Sequence, residues 1–301
     1  AVRVGRVVAP VFMVSDYRNV GYAQTMVRMP VEVYGQNPIT HLDGGDISYR
    51  FDLADGVVTI QATSGRVKEF PPQGAVAGRA KMMGISYEAG ASTMRMGYLK
   101  SRVDIAGDFT AQIDQLTANG GAVGHPLPTL NFNGMKSSLF NIGYLYDNGT
   151  WLAQSELIQV RANTRAIENA DAWYLMGGYR IGKFTPYISY SENRAKDQPL
   201  NQPMADGTCR YGVICGMVVN GMTVADQLQA LAYGTNALDA SVRTSWEQKT
   251  ISIGARYDFY RNLALKAQFE HIRKPGSLAS PSKGLFIAPA AVAPALYPNA
   301  T

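Results

Sequence analysis

Ten ionisable residues recur at alternate positions inside short segments rich in apolar residues. Arg50, Arg95, Arg180, Arg256 and Lys266 are basic; Asp52, Glu88, Glu156, Asp258 and Glu270 are acidic. No nucleophile, base and orienting group gather among them. The three histidines (His41, His125, His271) are dispersed, and no Gly-x-Ser-x-Gly, His-Glu-x-x-His or Walker pattern occurs. Acyl transfer, metal-assisted hydrolysis and phosphate chemistry therefore lack their parts, and no cofactor or metal is expected. Gly120–Gly124 is glycine-rich but has no strand–helix context to cradle a phosphate. The chemistry left to such residues is electrostatic: fixed charges of both signs on one wall act on nearby ions.

The elements that carry them alternate apolar and polar residues. Residues 135–194 hold four such segments of roughly a dozen residues. Met135–Asp147 runs into Thr150–Ala162 through Asp147-Asn148-Gly149, and Ala172–Gly182 into Thr185–Arg194 through Gly182-Lys183-Phe184. Asn148-Gly149-Thr150 reads as a hairpin turn rather than a glycosylation acceptor. Phe140, Ile142, Tyr144 and Tyr146 face one way, Asn141 and Gly143 the other. Trp173, Leu175, Tyr179 and Ile181 share a face opposite Tyr174 and Arg180. The same period recurs at Ile47–Leu53, Val58–Ser64, Met94–Tyr98, Ile251–Phe259 and Leu263–His271. Strands aromatic on one face and wet on the other are what an antiparallel transmembrane β-barrel requires. If the aromatic faces meet lipid, the ten charges look inward, and Arg3 joins them because Val2 and Val4 take the other face. Placing Arg or Lys on the lipid face at mid-membrane costs about 2–4 kcal/mol. Any single member is as well explained by a structural ion pair; the set is what indicates a charged ring.

Composition fits an all-β chain of 301 residues forming one barrel domain. No stretch approaches eighteen consecutive apolar residues, which excludes a membrane-spanning helix. Alternation hides the hydrophobic content in a mean hydropathy of −0.11. Seventeen tyrosines suit membrane-interface girdles, and thirty glycines suit turns and crowded strands. A net charge of +5 without a Lys/Arg run gives nucleic-acid binding little support. The twelve methionines are scattered and read as ordinary packing or lipid-facing residues.

Eleven strands can be traced. Val2–Val8 comes first; hairpins follow at Asp46–Leu53/Val57–Lys68, Arg79–Glu88/Ser92–Asp104, the two already described, and Trp246–Tyr260/Leu263–Ile272. Short turns alternate with long connections, as in barrels with periplasmic turns and extracellular loops. Ile105–Gly134 is a long connection and Ala195–Arg243 the longest, the latter read as an extracellular loop. Closed single-chain barrels have even strand numbers, so an odd count implies strands before Ala1 and a closing strand after the Pro/Ala-rich Pro289–Thr301; about sixteen is expected in the full protein. Within 195–243, Cys209 and Cys215 are spaced for a local disulfide, with two free thiols as the alternative. Thr223–Tyr233 has helical spacing with a threonine cap.

Ala9–Leu42 is too long for a plain turn and too apolar for a disordered one: Val11, Phe12, Val14, Tyr17, Tyr22, Val31, Val33 and Tyr34 ask to be packed. It also carries Asp16, Arg18, Arg28 and Glu32, with Asp43 just beyond. A surface loop covering the rim or a subunit contact would account for it as well.

The run Val4-Gly5-Arg6-Val7-Val8-Ala9-Pro10-Val11-Phe12-Met13-Val14-Ser15-Asp16-Tyr17-Arg18-Asn19-Val20-Gly21-Tyr22 resembles a segment of the Gram-negative outer-membrane porins. Arg28-Met29-Pro30-Val31-Glu32-Val33-Tyr34-Gly35 strengthens the likeness, and Leu263–Ile272 is similar to that family's penultimate strand. The likeness covers the whole chain in pattern and is sharp only in these stretches; the closing strand is absent. The resemblance implies a water-filled pore in the outer membrane, a homotrimer, a lipid bilayer with lipopolysaccharide as surroundings, and one long loop folded inward as a constriction. On that basis Ala9–Leu42 is the constriction, with Arg3, Asp16, Arg18, Arg28, Glu32, Arg50, Arg95, Glu156, Arg180, Arg256 and Lys266 lining the pore. Asp16 and Glu32 would face a basic wall of Arg3, Arg50 and Arg95. The expected activity is passive diffusion of small hydrophilic solutes, not catalysis. The alternatives are an outer-membrane barrel enzyme, which needs a nucleophile–histidine pair on its wall, and a soluble β-rich binding module.

Overall fold

The structure, a computed structural model, describes residues 1–37, 39–69, 75–106, 133–163, 167, 169–196, 218–219, 222–223 and 247–273. Successive strands run β1 (Val2–Val8), β2 (His41–Leu53), β3 (Gly56–Glu69), β4 (Ala75–Ala89), β5 (Ser92–Ala106), β6 (Met135–Asp147), β7 (Trp151–Ala162), β8 (Ala170–Tyr179) and β9 (Phe184–Ala195). After a two-residue pair, β10 (Val218–Val219) and β11 (Met222–Thr223), come β12 (Gln248–Tyr260) and β13 (Leu263–Arg273). All except β10 and β11 form one sheet of eleven strands, each antiparallel to its neighbours and in chain order. Among the described residues β1 pairs only with β2 and β13 only with β12, so the sheet is not closed.

Register aligns the apolar positions across strands. Tyr49, Ile60, Ile85, Met96, Ile142, Leu157 and Trp173 are successive cross-strand partners from β2 to β8. Each is at least 36% exposed. An apolar face continuous over seven strands far exceeds what a soluble surface carries, and lipid is the solvent that accommodates it. Two residues toward the short turns, the same face carries Phe51, Val58, Tyr87, Met94 and Tyr144. Trp151 and Tyr179 stack edge-on at that end, 4.6 Å between centroids, as interfacial aromatics do. Short turns all lie at this end of the sheet and longer connections at the other. Tight reversal there needs positive φ, supplied by Gly90 (56°) and Asn262 (61°).

Strand boundaries depart from the sequence reading most at two starts, and β8 ends at Tyr179 rather than Gly182. β2 starts at His41 and β4 at Ala75, several residues before Asp46 and Arg79. Gly44, Gly45 and Gly78 break the alternation yet stay in the ladder, because Gly44 and Gly78 sit where a Cβ would meet neighbouring backbone at 2.2 Å. The inner face is also less polar than alternation implied. Leu99, Leu139, Ile158, Tyr174 and Met176 are buried on it, under the segment that follows β1.

Candidate constriction site

That segment, residues 9–40, lies across the inner face of the sheet. Its ends are tied where the Ala9 amide donates to the Thr40 carbonyl at 3.0 Å. It then crosses the wall strand by strand. The Val11 carbonyl sits over Gly97 on β5, where a Cβ would stand 2.5 Å from its oxygen, and Met13 lies beside Gly143 on β6. The Val27 amide donates to Gln268 of β13 at 3.0 Å. One segment touching both β5 and β13 requires the sheet to curl around it. Its own apolar residues, Val11, Phe12, Val14, Met26 and Val33, are almost fully buried in that concavity. Two 3-10 turns, Ser15–Tyr17 and Gly21–Ala23, and the short helix α1 (Val31–Tyr34) give it its helical turns.

Two carboxylates pin the segment from opposite sides. Glu156, on β7, is 2% exposed. It accepts from the Met13 amide (2.9 Å), Asn141 Nδ2 (2.9 Å), the Tyr174 hydroxyl (2.9 Å) and the Tyr34 hydroxyl. Glu32, from α1, points back into the wall and accepts from Ser191 Oγ (2.9 Å), Gln248 Nε2 (2.6 Å) and Thr250 Oγ1. A buried carboxylate without partners is prohibitively costly, so the donors must meet these two for the segment to dock. Burial, then the Glu156 charge, pushes the Tyr34 phenol well above its usual range, which keeps it a donor.

Cations clamp the carbonyls. Arg256 donates to the Tyr22 carbonyl at 2.6 Å and the Gln24 carbonyl at 3.0 Å, and its guanidinium lies 4.7 Å from the Tyr22 ring centre. Lys266 donates to the Gly21 carbonyl at 2.6 Å. Arg18 ties the segment to itself, donating to the Tyr34 carbonyl (2.7 Å) and lying against the Phe12 and Tyr34 rings.

Other charges stay accessible. Asp16 meets Arg95 of β5 at 3.2 Å, with the aspartate side chain 54% exposed and the arginine 11%. Arg3 lies within electrostatic reach of Asp16 and pairs with Asp46 at 2.7 Å. Arg50 shares that inner face but sits four residues farther along β2, about 13 Å from Asp46. Arg180 pairs with Asp147; with Arg256 and Asp258 they line a cavity of about 290 Å³ beside the segment. Arg28 pairs with Glu270 on β13.

Of the eleven residues singled out from sequence, Arg3, Asp16 and Arg95 are brought near one another, Arg3 and Asp16 exposed and Arg95 largely covered. Arg18, Glu32, Glu156, Arg256 and Lys266 are spent on holding the segment. Glu32 departs from its expected position opposite the basic wall: neutral donors of β9 and β12 draw it to the other side of the sheet. The neutral partners Tyr34, Asn141, Tyr174 and Gln268 were not singled out. Parity places Asn141 and Tyr174 inward, but nothing in their types announces a shared glutamate. Cys209, Cys215 and Gly120–Gly124 lie outside the described residues, as do most of 195–243 and of Thr223–Tyr233.

An antiparallel sheet apolar outside, charged inside and spanned by one of its own connections defines the wall of an outer-membrane-type β-barrel. No protein-family model matches the chain, and no curated protein matches it. Among solved structures it is similar to OmpT, an outer membrane protein of Vibrio cholerae, in its in-vitro folded form: 14% identity over 64% of this chain and 66% of that one, TM-score 0.33. The outer-membrane expressed form of OmpT gives 12% identity over the same shares, TM-score 0.32. A doubly substituted OccD1 (OprD) gives 6% identity over 90% of this chain and 69% of that one, TM-score 0.29. The chain thus spans about two thirds of the length of these proteins. Likeness this weak adds nothing to the geometry, and the class rests on the sheet and its inward segment.

Proposed function

We propose that the protein is an outer-membrane porin through which small hydrophilic solutes and ions diffuse, and that residues 9–40 narrow its pore. The observation that carries this reading is the docking of a 32-residue connection across a concave, charged wall by two buried carboxylates and two cations. So much buried polar pairing fixes the segment in one place, which a size cutoff requires and a covering flap does not. Asp16 against Arg95 and Arg3 supplies opposed charges beside the accessible edge of the segment. A homotrimer in a bilayer containing lipopolysaccharide, and the absence of catalysis, belong to the same proposal. Single-channel recording in planar bilayers tests it: stepwise, ohmic conductance in simple salt is expected. Folded, inserted protein that passes no current, or that cleaves peptide or ester substrates, would remove the porin reading in favour of a barrel enzyme.

A further inference from the structure

On the short-turn side of the docked segment lies the cavity of about 290 Å³, between residues 14–29 and the wall strands. Its charges come in two closed pairs. Arg180 donates two parallel hydrogen bonds to Asp147, one of 2.7 Å, and Arg256 meets Asp258 at 2.8 to 3.0 Å. The four charges sum to zero, yet the aspartates still show a face to solvent, their side chains 37% and 35% exposed. One donor is left over. Gln154 of β7 lines the cavity and is 7% exposed, and its Nε2 has no hydrogen-bond partner among the described residues. Leaving a buried amide donor unmet costs stability, so a cavity that keeps one points to an acceptor from outside the chain. The rest of the lining includes the Tyr17 ring and the aliphatic Val14, Leu145 and Leu152.

We propose that this cavity is a binding site for a neutral monosaccharide. Such a site adds saturable recognition to the diffusion proposed above, and it depends on the docked segment rather than on conduction. A lone anion or cation gains nothing net from charges that cancel. A zwitterion would have to separate two hydrogen-bonded ion pairs to use them. A hydroxyl group needs no such separation: it donates to a carboxylate lone pair that the arginine leaves open, and accepts from Gln154 Nε2. Hydrogen bonds to charged groups of this kind are about twice as strong as neutral ones. A sugar ring brings several hydroxyls at once, and its C–H faces suit Tyr17, Leu145 and Leu152. Ligand sites combine an apolar lining with a few fixed polar groups in this way. The cavity's 290 Å³ lies at the lower end of their range of about 300–1,000 Å³, which admits one ring rather than a chain of rings.

Saturation-transfer difference NMR on the full chain folded in neutral detergent tests the site without requiring a current. The probes are glucose, galactose and mannose, with glucuronate, glucosamine and alanine as anionic, cationic and zwitterionic counterparts. Saturable binding of at least one neutral sugar is expected, undisturbed by excess alanine. Gln154→Leu removes the donor and leaves no polar group unmet, so the fold should hold while affinity falls about two- to tenfold. Ala23→Trp, on the segment's side of the lining, should obstruct the cavity and abolish binding. Lys100→Gln, exposed on the outward face, should leave it unchanged. Absence of saturable binding by all three sugars, displacement by alanine, tighter binding of either charged sugar, or unaltered affinity in either cavity variant would overturn the assignment. Current without sugar binding would remove this site and keep the porin reading; sugar binding without current would do the reverse.

Discussion

Reversing one charge at the Asp16–Arg95 pair should convert the ion preference of the proposed pore. Arg95→Glu removes a cation and adds an anion beside Asp16, now 3.2 Å from the guanidinium. The segment should stay in place, because its anchors on Glu156, Glu32, Arg256 and Lys266 are untouched. For an ion passing about 5 Å away, the two-unit change is worth about 1.7 kcal/mol in a fully aqueous dielectric, and about 1 kcal/mol after screening at 0.1 M salt. A cation gains this and an anion loses it, so their permeability ratio should shift by about tenfold or more toward cations. At 1 M salt, where the Debye length falls to about 3 Å, most of the shift should vanish. Reversal potentials under a salt gradient measure it directly, with Arg95→Gln giving about half the effect. If neither Arg95→Glu nor Arg50→Glu moves the reversal potential at low salt, the narrowest point is not bounded by Asp16 and β5.

Glu156→Ala strips four donors of their acceptor at once, each unmet donor costing about 1–3 kcal/mol. The segment should loosen, seen as larger and noisier single-channel currents and as new protease cuts within residues 9–40; unchanged currents would make Glu156 incidental to docking. Gly97→Val drives a side chain into the Val11 carbonyl, which should lift the segment from β5 and cost about 1–3 kcal/mol of stability in urea-dependent folding into vesicles. Spin labels at Phe140, Tyr144, Trp173, Leu175, Ile253 and Phe269 should respond to a lipid-soluble quencher; protection at most of them would invert the sheet.

Strand number and facing were legible because period-2 alternation is a local property that burial on one face enforces. Met135–Asp147 has the bounds its alternation indicates. Alternation fails where glycine carries no side chain to score, which is why the starts of β2 and β4 were placed late. It also cannot say what covers an inward residue. Tyr174 and Arg256 share the inner side of the sheet, yet one is sealed under Tyr34 of the segment and the other grips the segment's carbonyls. That difference arises from contacts more than a hundred residues apart in sequence, beyond any pattern within a strand.

The same distinction explains why so many charged residues can occupy one wall without each setting selectivity. A charge facing water keeps a long-range field, whereas one whose hydrogen-bonding capacity is filled by nearby donors or acceptors is locally compensated. Glu156 and Glu32 are filled by amides, hydroxyls and two phenols; Arg256 is filled by the Asp258 carboxylate and the Tyr22 and Gln24 carbonyls, and Lys266 by carbonyls. Their service is mechanical, since each fixes a point along residues 9–40. With the segment fixed, Asp16 is carried to Arg95 and held half-exposed. On the proposed porin reading, the buried charges act on solutes through the placement of the exposed ones. Altering an anchor should change how wide the pore is, and altering the exposed pair should change which ions it favours.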